Sequence, residues 1–307
     1  MQQAKTAKEV ISILADNPGL PWETIPSDFL KDADVWGQLL PTLPLHATLR
    51  NLGRMSANGL LTPLSAASKL VVQKLSNTEQ LRKSRVHPIA VLMAQMTYQS
   101  GHGLKGSLSW TPVKPVVAAL EDAFYGAFAN VEPSNKNVLL ALDVSGSMCG
   151  GMVAGVQGLT PNIASAAMAL VTARTEPNYH IFGFATQFRE LPITSKTTLK
   201  EAMRITQHYS FGGTDCSLPI KYAQQRRMDV DGFVVYTDSE TWAGNIHPTQ
   251  ALTKYRKERG LESRNVVVGM VSNGFSIADP DDRLQMDVVG LDANAPQLIS
   301  QFIAGDF

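Results

Sequence analysis

The chain has 307 residues, 44% of them hydrophobic and 18% charged. That length suits two domains at the usual ~150 residues each, and the apolar share excludes an intrinsically disordered chain. Its 27 basic and 27 acidic side chains balance to a formal charge of zero, which speaks against a uniformly basic nucleic-acid coat but allows a local basic face.

Up to about residue 130 apolar residues recur at helical spacing. The stripes are Trp36, Leu39, Leu40 and Leu43; Leu45, Leu49, Leu52 and Met55; Leu64, Ala67, Leu70, Val71 and Leu75; Ile89, Leu92, Met93 and Met96; and Val116, Leu120, Ala123, Phe124 and Ala127. Breaks carrying Pro41, Pro44, Gly59, Pro63, Pro88 and Pro112 separate them. Successive short helices predict an α-solenoid or bundle segment over 1–130. After Val131–Lys136 the texture becomes strand, loop, helix. Predicted strands cover 137–142, 180–184, 232–236, 265–271 and 287–291, alternating with helices over 161–174, 199–205, 218–226, 248–258 and 295–303. That alternation predicts a parallel, doubly wound α/β sheet over 131–307, with its ligand site beyond the carboxyl ends of the strands.

Two cysteines, Cys149 and Cys216, make neither a disulfide framework nor a tetrahedral zinc site. A reducing, cytoplasmic location is expected. The first ten residues lack the apolar core of a signal peptide, and no apolar run reaches membrane-span length.

The zero net charge is a sum of unlike parts. Residues 1–130 carry 12 basic and 9 acidic side chains, leaving 15 and 18 for 131–307. Between residues 50 and 114 stand Arg50, Arg54, Lys69, Lys74, Arg82, Lys83, Arg85, Lys105 and Lys114 against one acid, Glu79, with His87 and His102 besides. Two readings fit: a solvated helical surface, or a phosphate-binding face. On charge alone the solvated surface is the plainer reading; solvated helices usually intersperse both signs, and the scarcity of acids is what raises the second.

The loop after the first predicted strand reads Asp143-Val144-Ser145-Gly146-Ser147, and the third strand ends in Tyr236-Thr237-Asp238. Between them lies Phe211-Gly212-Gly213-Thr214-Asp215. Two carboxylates, Asp143 and Asp238, with the hydroxyls of Ser145, Ser147 and Thr214, are an all-oxygen set suited to a hard cation such as Mg²⁺. Two monodentate carboxylates neutralise the ion and leave a position for water or an acidic group of a partner. Helix caps and turns use the same residue types, but three such loops, two at strand ends, favour the metal. Asp215 is placed to orient a metal-bound water.

Other motifs are weaker. Gly101–Gly106 fits GxGxxG but follows a helix rather than a strand, against a dinucleotide fingerprint. An interhelix loop is the plain reading, and an approach of Lys105 and His102 to a phosphate backbone the alternative. No nucleophile elbow surrounds Ser145 or Ser147, and His180, His208 and His247 are dispersed, so hydrolysis is disfavoured. Trp242 and His247 are expected to shape the loop after Asp238.

The DxSxS, Thr and Asp pattern resembles the metal-ion-dependent adhesion site of von Willebrand factor A domains, matched by Asp143, Ser145, Ser147, Thr214 and Asp238. A broader resemblance runs through LPLHATLRNLGRMSANG (43–59), VHPIAVLMAQMTYQSGHGLKG (86–106), GGTDCSLP (212–219), YTDSETWAGNIHP (236–248) and SNGFSIADPDDR (272–283). These stretches are similar to the Ro autoantigen family, ring-shaped RNA-binding proteins with a TROVE domain. The resemblance implies HEAT-like helical repeats followed by an A domain, and a noncatalytic ribonucleoprotein. It implies threading of misfolded RNA 3′ ends through the ring and binding of small non-coding Y RNAs on its basic surface. A metal-dependent module that binds an acidic protein partner is the second reading. Much of the family's N-terminal helical region has no counterpart in these residues, so they are expected to begin partway through the repeats.

Overall fold

The computed structural model describes residues 4–103, 106–207, 213–238, 244–270, 277–291 and 294–306. It divides into two compact units, Met1–Asn130 and Val131–Phe307.

The first unit is helical. It holds α1 (Ala7–Asp16), α2 (Ala33–Leu39), α3 (Leu45–Ala57), α4 (Ala66–Ser76), α5 (Thr78–Ser84), α6 (Pro88–Ser100) and α7 (Lys114–Gly126). Thr6, Asp32, Ser65 and Asn77 start α1, α2, α4 and α5, each side chain accepting from a first-turn N–H, where short polar residues satisfy otherwise orphaned donors. Pro88 and Pro115 stand in the first turns of α6 and α7, where a missing N–H costs nothing. The core shared by α3, α4, α6 and α7 buries Leu52, Met55, Val71, Leu75, Leu92, Val116, Leu120 and Phe124; each such side chain contributes about 1.5–3 kcal/mol.

Two helices carry no predicted stripe. α1 buries only Val10 and Leu14, and α5 only Leu81, too few positions for a periodicity. In the other direction, Leu64 does not belong to the α4 stripe. It is 86% exposed, because the helix begins only after the Ser65 cap.

A polar hub joins α3 to α6 and the segment leading into α7. The buried Tyr98 hydroxyl pairs with Ser56 Oγ at 2.7 Å and accepts from Val113 N at 3.1 Å. The Trp110 ring stacks on Tyr98 with centroids 6.2 Å apart, and its indole N–H donates to Tyr98 O at 2.9 Å. The described part of the Gly101–Gly106 motif is a loop between helices. Gly101, at φ +74°, caps α6, and Trp110 N donates to Gly101 O. Neither strand nor helix start flanks it, as a dinucleotide site would require. At the opposite end of α6, His87 caps the helix through Nδ1, and burial pushes its imidazole down to about 4, leaving it a neutral structural group at physiological pH.

The second unit is a six-stranded sheet, β1 (Asn137–Asp143), β2 (Asn178–Phe184), β3 (Phe188–Glu190), β4 (Gly232–Thr237), β5 (Arg264–Gly269) and β6 (Gln285–Val289), in the order β3-β2-β1-β4-β5-β6. The helices are α8 (Pro161–Thr175), α9 (Leu199–Gln207), α10 (Leu218–Arg226), α11 (Pro248–Arg259) and α12 (Ala295–Ala304). All neighbouring strands are parallel except β2 and β3. The wholly parallel expectation is corrected at that edge. β3 has three residues, none buried, so no apolar run announced it. Leu139, Ala141, Phe233, Val235 and Val267 face Ile220, Ala223, Leu252 and Tyr255 of α10 and α11. On the opposite side, Gly232 lies against Ile303 of α12 with no room for a Cβ. Strands covered on both faces read as continuous apolar runs, which is why β1, β4 and β5 were legible. Chain order reverses at β1, flanked by β2 on one side and β4 on the other, which makes the carboxyl end of β1 a topological switch point.

Candidate functional site

Parallel register builds the site. Asp143 ends β1 opposite Phe184 of β2, and Leu142 pairs with Tyr236 of β4, so the next residues, Asp143 and Thr237, become lateral neighbours. Thr237 donates its hydroxyl to Asp143 Oδ2 at 2.9 Å. Ser145 N donates to Oδ1 at 2.8 Å, and the hydroxyls of Ser145 and Ser147 lie 3.0 Å apart. Asp143 is fully buried and Ser145 nearly so, while Ser147 is exposed. Asp238 follows β4 directly and is half-buried. Thr214 is buried, and its neighbour Asp215 donates its backbone N–H to Ala185 O beside the end of β2. Phe211 and Gly212 of the glycine-rich loop, with His208 and Trp242, lie outside the described residues.

Burial pushes the Asp143 carboxyl up to about 6. The hydrogen bonds from Ser145 and Thr237 oppose that rise, and the like charge of Asp238 adds to it. Among the described residues no Lys or Arg pairs with Asp143. A buried carboxylate without a counter-charge is costly, and a cation held between Asp143 and the neighbouring hydroxyls would remove that cost. Among the described residues no group of three His, Cys, Asp or Glu is disposed to hold a metal. The donor set here is hydroxyl-rich instead, as suits a hard cation. Thr237 was not singled out as a site residue; its signal was its place as the last residue of a buried strand beside Asp143.

Among the described residues, neither His180 nor His247 is placed to act as a base at this loop cluster. His180 pairs with Leu139, four residues before the Asp143 register, hence about 13 Å down the sheet. His247 is occupied as the N-cap of α11, its Nδ1 accepting from Thr249 N. Cys149 is exposed and Cys216 is buried in the core.

In the helical unit, Arg50, Arg54, Lys69, Arg82, Lys83, Arg85 and His102 are exposed. α3 organises most of them. At its start His46 Nε2 lies 3.0 Å from Ser84 O, which brings the α5 terminus, with Arg82, Lys83 and Arg85, close to Arg50 one turn along. Towards its end Gly53, next to Arg54, lies under Trp110 of the loop that carries His102. Lys83 pairs with Glu79 at 2.7 Å in the open, a contact of little net strength. Lys105 lies outside the described residues.

Lys74 is a correction. It is 6% exposed, and its ammonium donates to Leu43 O at 2.8 Å. Desolvation lowers its pKa. It ties α4 to the loop before α3 and offers no charge to a ligand. Lys74→Met is therefore expected to change affinity for a phosphate-bearing ligand less than about twofold while lowering stability by about 1–3 kcal/mol, the cost of leaving a buried carbonyl unpaired. Denaturant melts alongside binding titrations check this; a large affinity loss in a stable variant would contradict it.

A doubly wound sheet with a carboxylate and two hydroxyls gathered at its switch point defines a von Willebrand factor A-type domain. Residues 137–303, more than half of the chain, match the family model described as the Ro60 vWA domain, and residues 19–99 match the TROVE domain. The chain thus belongs to the Ro60 vWA-domain family. The RNA-binding protein RO60 of Deinococcus radiodurans is 49% identical over 288 residues, covering 94% of this chain and 54% of that protein. RNA-binding protein RO60 of Caenorhabditis elegans is 36% identical over 301 residues, 97% of this chain and 46% of that protein. The crystal structure of Deinococcus radiodurans RO (RSR) protein matches with a TM-score of 0.93 at 48% identity, covering 99% of this chain and 61% of that one. The chain spans about half the length of the curated relatives it matches. Among the described residues no helix is long and apolar enough to cross a membrane.

Proposed function

We propose that this chain is a noncatalytic, RNA-binding part of a Ro-type ribonucleoprotein, acting in the cytoplasm on small non-coding Y RNA and on the 3′ ends of misfolded RNA. The observation that carries the reading is the exposed charge of Arg50, Arg54, Lys69, Arg82 and Arg85, none of them in an ion pair among the described residues, in a stretch whose one acid, Glu79, is already engaged by Lys83. Guanidinium and ammonium groups outside ion pairs are free to replace the counterions of a phosphate backbone. Such binding is strong at low salt and carries little base specificity. The likeness to proteins named as RNA-binding supports the same reading.

The A domain is read as a Mg²⁺ site with Asp143, Ser145, Ser147, Thr214 and Asp238 as donors. The buried, uncompensated Asp143 supports it. When bound, the cation supplies a coordination position for an acidic group, and the chain's own residues orient it: Thr237 and Ser145 N hold the Asp143 carboxylate in one rotamer. A second reading, a module that binds an acidic protein partner through this metal, is favoured by the same carboxylate.

A filter-binding titration with single-stranded RNA decides between them. If five phosphates are neutralised, log K is expected to fall against log salt with a slope of about −3 to −4. Charge reversal at Arg50, Arg82 and Arg85 together is expected to flatten the slope by about two units. A flat wild-type response would overturn the RNA reading.

A further inference from the structure

The donor pattern omits a third carboxylate at the same sheet edge. Asp215, directly after Thr214, is 6% exposed. Its Oδ1 accepts from Ser217 N at 2.9 Å and from Ser217 Oγ at 2.5 Å. Its Oδ2 accepts from Lys221 Nζ at 3.0 Å. Its backbone N–H reaches Ala185 O, next to the register partner of Asp143. Gly244, in the segment after β4, lies on the carboxyl group: a Cβ there would stand 2.6 Å from Asp215 Cγ, and its φ of +103° suits glycine alone. The carboxylate is thus held between α10 and Gly244.

We propose that Lys221 determines the ligand specificity of the metal site by neutralising Asp215 and holding it off the cation. This rests on the metal reading above. Starting α10 needs only the turn that Asp215 makes with Ser217; it does not need a lysine six residues on. With Asp215 engaged, a divalent ion meets two carboxylates, stays neutral overall and keeps a position for an acidic ligand from outside. With Asp215 released, three carboxylates make the centre anionic. Such a centre binds the ion more tightly and repels an anionic ligand.

The test uses the full chain with Mn²⁺ as the probe. Affinity is read by electron paramagnetic resonance, and the waters on the bound ion by proton relaxation. Lys221→Met is expected to tighten Mn²⁺ binding about tenfold by removing a nearby positive charge. It should also lower the relaxation enhancement, as Asp215 takes the place of a water. Lys221→Arg should restore wild-type values, and adding Asp215→Asn to Lys221→Met should cancel the gain. A fold defect alone would weaken binding in step with the melting temperature and would leave the hydration of the bound ion unchanged; that result overturns the proposal. Wild-type protein that binds Mn²⁺ beside a Lys221→Met variant with unaltered affinity and hydration overturns only the role of Lys221. Wild-type protein that binds no Mn²⁺ overturns the metal reading and this proposal with it.

Discussion

Asp143→Asn is expected to raise the melting temperature of the metal-free A domain and to abolish its stabilisation by Mg²⁺. The carboxyl titrates near 6 in the fold against 3.8 in the open chain, chiefly through burial. Its folded form therefore holds a proton that the unfolded form gives up, and metal-free stability falls as pH rises from about 4 to about 6. At neutral pH the ionised group costs the fold about 3 kcal/mol. Asparagine keeps the shape and one acceptor oxygen, for Ser145 N, while removing that charge and turning an amide donor toward the Thr237 hydroxyl. In wild type, a cation should recover the cost, adding about 2.7 kcal/mol at a hundredfold excess over Kd. Thermal melts in excess Mg²⁺ and in EDTA measure both effects. The metal reading fails if wild type gains nothing from Mg²⁺, or if the asparagine variant gains as much.

Gly53→Ala is expected to destabilise the helical unit by about 1–3 kcal/mol, the usual cost of overpacking. The added methyl would stand 2.5–2.7 Å from three ring carbons of Trp110. That ring is held by the stack on Tyr98 and by its indole hydrogen bond, so it has no easy retreat. Trp110→Ala should cost about 3 kcal/mol through lost burial. The double variant should cost no more than Trp110→Ala, because the clash disappears with the ring; residues in direct contact couple in this way. Additive losses in denaturant melts would show that Gly53 is needed for some reason other than the indole above it.

Legibility followed burial. The apolar runs of β1, β4 and β5 showed through because both faces of the sheet are covered, and the helical stripes of α3, α6 and α7 because each packs one face on a core. β3 and α5 were silent because they bury little, and Leu64 misled because an apolar residue just ahead of a helix cap copies the spacing of the stripe that follows. At the site, Asp143, Ser145, Ser147 and Asp238 could be picked out by residue type and by their place after predicted strands, and Thr214 by its glycine-rich loop. Thr237 could not, since its role comes from lying beside Asp143 in the register of β1 and β4.

Composition and order alone were enough to read two textures of chain, a mostly parallel α/β architecture, a set of candidate oxygen donors and an acid-poor basic stretch. These are local properties, set by residue spacing and type. Which charges are free was decided only by packing. Lys74 counts as basic in the sequence, yet in the fold it is buried on the carbonyl of Leu43. Asp215 reads as one more carboxylate of the metal loop, yet Lys221 neutralises it. Charge in a sequence is a count, whereas the field a ligand meets depends on desolvation and pairing, and those arise when distant segments are brought within hydrogen-bond reach.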